Sequence, residues 1–252
     1  MTTFTTEDRM EAERQPRIMV ITPTTGKDTV LKAIKSVRNQ TIETEHLIVV
    51  DGGGDISDRF SNLLLKKISP NYENPLQWLT LPENVGSNGW YGHRVYAAMP
   101  LMVNADYILF LDEDNWFEPN HVETMINKIK SKDLMWAYSL RRICNEAGEY
   151  ICDDDCESLG RCPTFYDSTL NFVDTNCYCF RREFLVTVAH HFYGGWGADR
   201  PFYKATSTAL PAFGCTGEAT VNYRAPERLH QMFRDGNKLM KQAYKILPWR
   251  MK

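Results

Sequence analysis

The sequence predicts an α/β protein whose central sheet is mostly parallel and flanked by helices. Short apolar runs alternate with amphipathic segments four times in the first 130 residues. Each run is continuously apolar, as in parallel strands that are buried on both faces. Hydrophobic residues make up 43% of the 252 residues, enough for a sizeable core. No Pro/Gly/Ser-rich linker divides the chain, so we expect a single domain with one continuous sheet.

The first half contains four predicted strand–helix pairs. Its strands cover residues 18–21, 47–50, 76–81 and 107–111. Its helices cover 28–37, 56–68, 90–102 and 121–129. We expect residues 1–16, which are polar and charged, to form a flexible leader ahead of this unit.

In the second half of the chain, the sequence predicts a small antiparallel element. Residues 136–142 and 149–152 are expected to pair as a hairpin across a turn that ends in Gly148. A strand is predicted at 172–180. Helices are predicted at 182–190 and 199–206, and one long or two short helices at 226–246.

The charge balance excludes several classes of partner. Lys and Arg total 29 against 32 Asp and Glu, which gives a net charge of -3 and no long basic patch. Binding of nucleic acid or of an anionic membrane is therefore not expected. No apolar run is long enough to span a membrane, and the first fifteen residues lack the apolar stretch of a secretory signal. A cytoplasmic location follows as the expectation.

Polar residues gather where the predicted strands end. Strand one ends in Thr22-Pro23-Thr24-Thr25, strand two in Asp51, and strand four in Asp112-Glu113-Asp114. Ligands of open α/β sheets bind at this edge. Neither a G-x-G-x-x-G fingerprint nor a G-x-x-x-x-G-K-[ST] loop is present, which excludes the usual dinucleotide and P-loop sites.

The Asp112-Glu113-Asp114 group allows two interpretations. In an extended backbone Asp112 and Asp114 project to one side, where paired carboxylates suit Mg²⁺ or Mn²⁺ with a diphosphate attached. Alternatively, acidic residues favour a helix N-terminus, with Asp114 or Asn115 as its cap.

Seven segments, taken in order, resemble the family 2 glycosyltransferases, which have the GT-A fold. The similarity spans roughly residues 17–241. The segments are Ile21-Thr22-Pro23-Thr24, Val49-Val50-Asp51-Gly52-Gly53, Glu83-Asn84-Val85-Gly86 with His93-Arg94, Leu111-Asp112-Glu113-Asp114-Asn115, Val173-Asp174-Thr175-Asn176 with Phe180-Arg181-Arg182-Glu183, Gly195-Trp196-Gly197-Ala198-Asp199-Arg200, and Asn222-Tyr223-Arg224 with Phe233-Arg234-Asp235-Gly236-Asn237.

The resemblance implies transfer of a sugar from a UDP- or GDP-sugar to a carbohydrate or other hydroxyl acceptor. Residues 17–130 would bind the nucleotide sugar and 131–252 the acceptor. The implied nucleotide-sugar contacts are Thr22, Pro23, Thr24, Asp51, Gly52, Asn84, Gly86, His93, Arg94, Asp112 and Glu113. Asp114, Asp112 and His230 would ligate Mn²⁺ or Mg²⁺, and Asp174, Asn176 and Trp196 would lie on the acceptor side.

Asp199 matches the position of the family's catalytic base, which implies an inverting transfer. The same carboxylate could cap the helix through Phe202, or serve both purposes. Ala198 stands where the family commonly has an acidic residue. Asp235 stands where processive synthases have Trp, which indicates a non-processive enzyme.

Other interpretations stay open at this point. His230 is a ligand or a structural histidine, and four cysteines (Cys144, Cys152, Cys156 and Cys162) are free thiols or, less consistently with their spacing, a zinc site. A nucleotidyltransferase acting on sugar phosphates would share the nucleotide-binding half. A non-catalytic nucleotide-sugar or carbohydrate-binding relative would share the fold.

Overall fold

The strands and helices are taken from a computed structural model that describes residues 14–67 and 76–251. The strands are β1 Ile18–Thr24, β2 Glu45–Val50, β3 Gln77–Thr80, β4 Tyr107–Phe110, β5 Trp116–Phe117, β6 Trp136–Cys144, β7 Tyr150–Asp153, β8 Tyr178–Arg181 and β9 Phe213–Arg224. The helices are α1 Val30–Arg38, α2 Asp55–Lys67, α3 His93–Met102, α4 His121–Lys132, α5 Arg182–Val188, α6 Asp199–Ala209 and α7 Glu227–Ala243. Short 3₁₀ turns cover Thr175–Cys177, Ala189–Phe192 and Pro248–Arg250.

All the strands of the described residues belong to one sheet. Its order is β3-β2-β1-β4-β8-β6-β9-β5, with β7 paired to β6. The first four strands in this order run parallel, whereas β8 is antiparallel to both β4 and β6. The structure thus confirms a mostly parallel sheet with an antiparallel element in the second half. It also joins the two halves of the chain directly, through β4 and β8.

Burial explains why these segments pair as they do. Every residue of β1 and β4 is buried, as expected for strands covered on both faces. Helix α1 places Val30, Ala33, Ile34 and Val37 toward the sheet. One large apolar cluster contains side chains from both halves of the chain, from Ile18 to Val221. The largest core is therefore shared by both halves of the chain, and the carboxyl ends of the parallel strands meet at a single edge.

The predicted strand at 172–180 was wrong over its first part. The Asp174 side chain accepts a hydrogen bond from the Asn176 amide and caps a 3₁₀ turn, Thr175–Cys177, so that the strand begins only at Tyr178. Asp commonly forms such local bonds and turns the backbone away from a strand.

The long strand β9 was not predicted from the sequence. Gly214 and Gly217 interrupt its apolar pattern, and glycines weaken a strand signal. Gly217 has a φ of 76° and lies close to the backbone of Arg250, so that a side chain there would collide.

Several boundaries differ from those predicted. Helix α3 begins at His93 rather than at Trp90, because Asn88 and Tyr91 have left-handed backbones that no helix contains. Helix α7 is one continuous helix. Residues 1–13, most of the predicted leader, and residue 68, the predicted end of α2, lie outside the described residues. Within the described ranges, none of the helices has the length and apolar character needed to cross a bilayer.

Candidate active site

A cavity of about 790 Å³ opens at the carboxyl ends of the first strands. This is the edge at which open α/β sheets bind ligands. Most of the predicted site residues lie on its wall. Those are Pro23, Thr24, Asp51, Asn84, Gly86, His93, Asp112, Glu113, Asp114, Asp174, Trp196 and Asp199.

Five predicted site residues lie off the cavity wall. They are Thr22, Gly52, Arg94, Asn176 and His230. The Thr22 hydroxyl is buried against His46 Nε2 at 2.8 Å, inside the sheet. The Arg94 guanidinium lies over the Trp90 ring, 3.7 Å from its centroid, and donates to the Val85 carbonyl. His230 Nε2 lies 2.9 Å from the Ala225 carbonyl oxygen, which favours its structural interpretation.

Asp112 is held by hydrogen bonds at both carboxylate oxygens. Tyr96 donates to Oδ1 at 2.7 Å, and Asn176 Nδ2 donates to Oδ2 at 2.8 Å. The Asp112 amide also donates to Asn176 Oδ1 at 2.6 Å. Burial, and then the charge of Asp174, raises the pKa of Asp112. Asn176 thus acts from outside the cavity, by fixing the orientation of Asp112.

Glu113 also lines the cavity, but its carboxylate organises the turn after β1. Its carboxylate accepts hydrogen bonds from the Thr24 hydroxyl at 2.6 Å and from the Thr25 hydroxyl and amide, both at 3.1 Å. The Lys27 ammonium forms an ion pair with it at 3.1 Å. The predicted strand alternation is not present, because β4 ends at Phe110, Glu113 and Asp114 lie in a turn, and all three acidic residues line the cavity.

Asp114 is a cavity-lining carboxylate that forms no ion pair within the described residues. Burial, followed by the charges of Asp112 and Glu113, raises its pKa to about 6. The helix-cap interpretation was wrong: β5 follows this turn, and the next helix begins only at His121, after Asn120. An uncompensated carboxylate beside a second one is a chemistry that suits a hard divalent cation.

Within the described residues, no group of three or more His, Cys, Asp or Glu side chains is arranged to hold a metal ion. Asp112 and Asp114 therefore supply at most part of a coordination sphere. Mg²⁺ is commonly bound in this way, through one or two carboxylates together with substrate phosphates and water. The two carboxylates fit such a cation, and His230 does not join them.

Asp51 shapes the loop that frames one end of the cavity. Its two oxygens accept the Val85 amide at 2.7 Å and the Gly86 amide at 2.8 Å. Burial is the main cause of its raised pKa. A Cβ on Gly86 would lie 2.6 Å from Asp51 Oδ2, so any side chain there would push the loop off the carboxylate.

Asp199 is the first residue of α6 and also lines the cavity. Its Oδ1 accepts from the Arg200 amide at 3.0 Å and guanidinium at 3.2 Å. Burial raises the pKa of Asp199 to about 6, opposed by Arg200 and assisted by Asp174. Asp199 is the first helical residue and Ala198 the cap, so the N-cap interpretation was wrong in detail. A carboxylate with this pKa can accept a proton near neutral pH.

The cavity wall contains a buried arginine that the sequence analysis did not single out. Arg141 is 3% exposed and forms ion pairs with Asp154 at 2.7 Å, Glu157 at 2.5 Å and Asp174 at 2.5 Å. Asp174 in turn accepts from Asn176 Nδ2 at 2.7 Å, the residue that orients Asp112. A continuous hydrogen-bonded chain thus connects Arg141 to Asp112 through Asp174 and Asn176. A charged residue inside an apolar strand was the available signal, because such residues are rarely buried without partners.

Other lining residues were also missed. They are Thr25, Lys27, Tyr91, Gly92, Asn115, Arg141, Glu157, Tyr166, Phe172, Thr175, Gly197, Arg200, Tyr223, Arg224, Pro226, Arg228, Leu229, Met232 and Phe233. Several belong to loops and to α7, whose approach to the cavity is set by long-range packing rather than by local pattern.

The cysteines are free thiols. Cys144 and Cys156 are buried, and Cys152 and Cys162 are half-buried. Burial raises the pKa of all four, to about 11 for Cys152, which makes them poor nucleophiles at neutral pH. Cys156, Cys152 and Cys162 pack with Phe233 in a second apolar cluster below α7.

Residues 19–183 match the family described as Glycosyl transferase family 2, which is about two thirds of the chain. The chain belongs to this family. The match includes Asp112, Glu113 and Asp114 and ends before Asp199. No curated protein matches the sequence.

Solved structures of S. aureus TarS are similar to this one. TarS 1–349 in complex with UDP aligns with a TM-score of 0.59 at 14% identity, over 89% of this chain and 64% of that one. TarS 1–349 in complex with UDP-GlcNAc aligns with a TM-score of 0.58 at 15% identity, over 90% and 61%. A further TarS structure gives 0.57 at 14%, over 83% and 37%. The chain therefore spans less than two thirds of the TarS chains, and the likeness shows that the fold is of the GT-A type.

Proposed function

We propose that this chain transfers a sugar from a nucleoside diphosphate sugar to an acceptor hydroxyl, with inversion at the anomeric carbon. One observation carries the proposal: Asp114 and Asp199 lie on the wall of the same cavity, each with a pKa raised to about 6. Two acidic groups in different surroundings can act on the two sides of one sugar. One would bind a cation beside the leaving diphosphate, and the other would take the proton of the acceptor hydroxyl. The UDP and UDP-GlcNAc complexes of TarS support a UDP-sugar as donor, with a GDP-sugar as the second candidate.

Asp199 would act as the general base. It takes the proton of the acceptor hydroxyl while that oxygen forms the new bond to the anomeric carbon. The bond from the anomeric carbon to the β-phosphate oxygen breaks, and the nucleoside diphosphate leaves with that electron pair. A positioned carboxylate typically contributes about 10²–10⁴-fold to such a step.

Asp114, with Asp112 beside it, would hold Mn²⁺ or Mg²⁺. When bound, the cation supplies positive charge opposite the charge that grows on the leaving diphosphate. Asn176 and Tyr96 keep Asp112 in place for this role, because both of its oxygens accept their hydrogen bonds. Asp51 and the turn at Pro23 and Thr24 would frame the nucleoside, and Asp174 and Trp196 the acceptor.

The geometry favours glycosyl transfer over nucleotidyl transfer. A triphosphate-binding loop offers free amides after the first strand. Here the Thr25 amide already donates to Glu113 at 3.1 Å, and the Gly26 amide donates to Thr24 Oγ1 at 2.9 Å. With Asp235 in the place of the Trp of processive synthases, we also propose one transfer per binding event.

Thermal unfolding with UDP, GDP, CDP or dTDP, each with Mn²⁺, Mg²⁺ or EDTA, tests the proposal. We expect one diphosphate to raise the melting temperature only with metal. Saturation at a hundred times Kd corresponds to about 2.7 kcal/mol. Asp114→Ala should erase the shift, measured against its own ligand-free melting temperature, whereas Asp58→Ala on exposed α2 should keep it. No shift with any diphosphate would refute the proposal.

A further inference from the structure

Three aromatic side chains stand exposed around the mouth of the cavity. Trp196 is 80% exposed, Tyr193 64% and Tyr91 56%. We call these three residues, with Trp90 beneath them, the aromatic rim. Trp196 and Tyr91 line the cavity itself, whereas Tyr193 and Trp90 lie beyond its wall. Large apolar side chains that are exposed next to one another are typical of a surface that binds a ligand, a protein or a membrane.

Contacts among the side chains of the rim hold it in a defined arrangement. The rings of Trp90 and Tyr193 are 4.9 Å apart, and the Arg94 guanidinium lies 3.7 Å from the Trp90 centroid and 5.5 Å from that of Tyr193. This stack uses Arg94, which explains why that cation does not reach the cavity. Stacked cationic and aromatic groups restrain each other, so that Tyr193 is presented in a fixed orientation.

Two loops from distant parts of the chain are joined to form the rim. The Gly194 carbonyl oxygen lies 3.1 Å from His93 Nδ1, and Gly195 approaches the carbonyl of Gly89 so closely that a Cβ would lie 3.1 Å from it. Tyr91 has a φ of 51°, a strained conformation for a bulky residue. Strain of this kind clusters at functional sites.

The position of the rim identifies the substrate that it would meet. Trp196 is three residues before Asp199, and both residues line the cavity. Under the proposed function the acceptor hydroxyl lies at Asp199, so the segment that carries Trp196 and Tyr193 is placed next to the acceptor. Tyr193 lies off the wall that Asp199 lines, so a ligand that contacts both residues extends beyond the cavity.

The chemistry of the rim fits a saccharide. Polarised C–H groups of a sugar ring pack against the electron-rich face of an aromatic ring. The joined segments, 86–93 and 193–199, contain no Leu, Ile, Val, Met or Phe. The flanking cations, Arg94 and Arg200, lie over the Trp90 and Trp196 rings. A membrane-inserting surface would have large aliphatic residues among its aromatic ones. Aromatic residues with glycine and short polar residues are what a carbohydrate platform requires.

We propose that the acceptor is an oligosaccharide of at least two units, and that Tyr193, supported by Trp90 and Arg94, holds the unit beyond the one that reacts. The proposal rests on the proposed function, since it extends the acceptor side of the same site. It predicts that the protein binds di- and trisaccharides more tightly than the matching monosaccharides.

An array of matched mono-, di- and trisaccharides tests this proposal, with the labelled full chain applied together with UDP and Mn²⁺. We expect retention on a set of di- or trisaccharides at least tenfold above retention on their monosaccharides. Tyr193→Ala should lose this preference, and Tyr193→Phe should keep it, because the ring rather than the hydroxyl makes the contact. Tyr150→Ala, which removes an exposed tyrosine on β7, is the matched control and should bind as the parent chain does.

Three results would overturn the proposal: no saccharide retained, no preference for length, or Tyr193→Ala binding like the parent. Binding of phosphatidylcholine or phosphatidylglycerol vesicles, lost in Tyr193→Ala, would also overturn it in favour of a lipid surface. The UDP-induced melting shift is measured on the same preparations. If that shift is present while length preference is absent, the transferase proposal stands and the rim proposal fails. If oligosaccharides bind and no nucleotide does, the transferase proposal fails, and the acceptor proposal that rests on it fails too, while the rim remains a saccharide-binding surface.

Discussion

At the residue scale, two aspartates on the wall of one cavity, Asp199 and Asp114, lie in different surroundings. Burial raises the pKa of both to about 6. Asp199 has Arg200 as a partner, whereas the neighbours of Asp114 include the carboxylates of Asp112 and Glu113. The first environment suits a base that takes one proton, and the second suits a ligand for a divalent cation.

Replacing Asp199 by Asn should abolish transfer and preserve nucleotide binding. The amide cannot take the acceptor proton, so we expect kcat to fall about 10²–10⁴-fold. In the parent enzyme, kcat at saturating metal and donor should fall as the pH drops below about 6, where Asp199 is protonated. Release of nucleoside diphosphate measures turnover, and the melting shift with UDP measures binding. Turnover equal to that of the parent would exclude Asp199 as the base.

Replacing Asp114 by Asn should stabilise the metal-free protein at neutral pH. Its pKa is raised from 3.8 to about 6, so the folded state holds the proton more tightly than the unfolded state does. Stability is therefore lost as the pH rises from about 4 to 6, and the loss is complete above that range. We expect a gain of about 1–3 kcal/mol at pH 7.5, corresponding to 1.36 kcal/mol per pH unit with allowance for solvent screening.

Urea unfolding at pH 7.5 and pH 4 in EDTA checks the effect of Asp114→Asn. The gain should be present at pH 7.5 and absent at pH 4, where both the parent carboxyl and the amide are neutral. Asp58→Asn, on an exposed helix turn, should show no such difference. A destabilised Asp114→Asn protein at pH 7.5 would contradict the prediction.

Sequence reasoning at this scale identified the residues whose chemistry is local. Asp112 and Asp114 follow a buried strand, and that context is visible in the sequence. Arg141 was missed because its three carboxylate partners come from residues 154, 157 and 174. Glu113 was assigned to the nucleotide, whereas its partners are in the turn after β1, 88 residues earlier for Thr25. Which partner a charged side chain meets depends on packing that local pattern does not encode.

At the element scale, α7 lines the cavity with Leu229, Met232 and Phe233. Its position depends on Gly236, whose missing Cβ would lie 2.8 Å from Cys156 Sγ and 2.9 Å from a Phe165 ring carbon. The amphipathic pattern predicted the helix itself. The strand β9 that leads into it was missed, since its glycines serve contacts with distant segments.

Gly236→Ala should destabilise the protein although Ala is the better helix former. Helix propensity favours Ala by about 1 kcal/mol, but overpacking against Cys156 and Phe165 costs about 1–3 kcal/mol. We therefore expect a net loss of up to about 2 kcal/mol by urea unfolding. Lys238→Ala, on the exposed face of α7, should stay within about 0.5 kcal/mol of the parent. A stabilised Gly236→Ala protein would show that α7 can shift freely, and would argue against its role as a fixed wall.

At the scale of the whole molecule, the sheet order joins the first and second halves of the chain in one structure. Strand β4 of the first half pairs with β8 of the second, and Ile108 lies opposite Phe180 in that pairing. Because no linker divides the chain, the sequence predicted a single continuous sheet, but it did not predict the pairing of β4 with β8. An antiparallel partner 70 residues away leaves no local signal.

Unfolding should therefore be a single cooperative transition for both halves. Trp78, Trp90 and Trp116 report on the first half, and Trp136, Trp196 and Trp249 on the second. Urea titrations should give the same midpoint by far-UV circular dichroism and by fluorescence. Variants that keep only the first-half or only the second-half tryptophans should also share one midpoint, once each variant is corrected for its own stability. UDP with Mn²⁺ should move every midpoint together, because donor binding to one half stabilises a fold that both halves share. Two separate transitions, with only one responding to UDP, would mean that the halves are independent domains and that the hydrogen-bonded chain from Arg141 to Asp112 does not couple them.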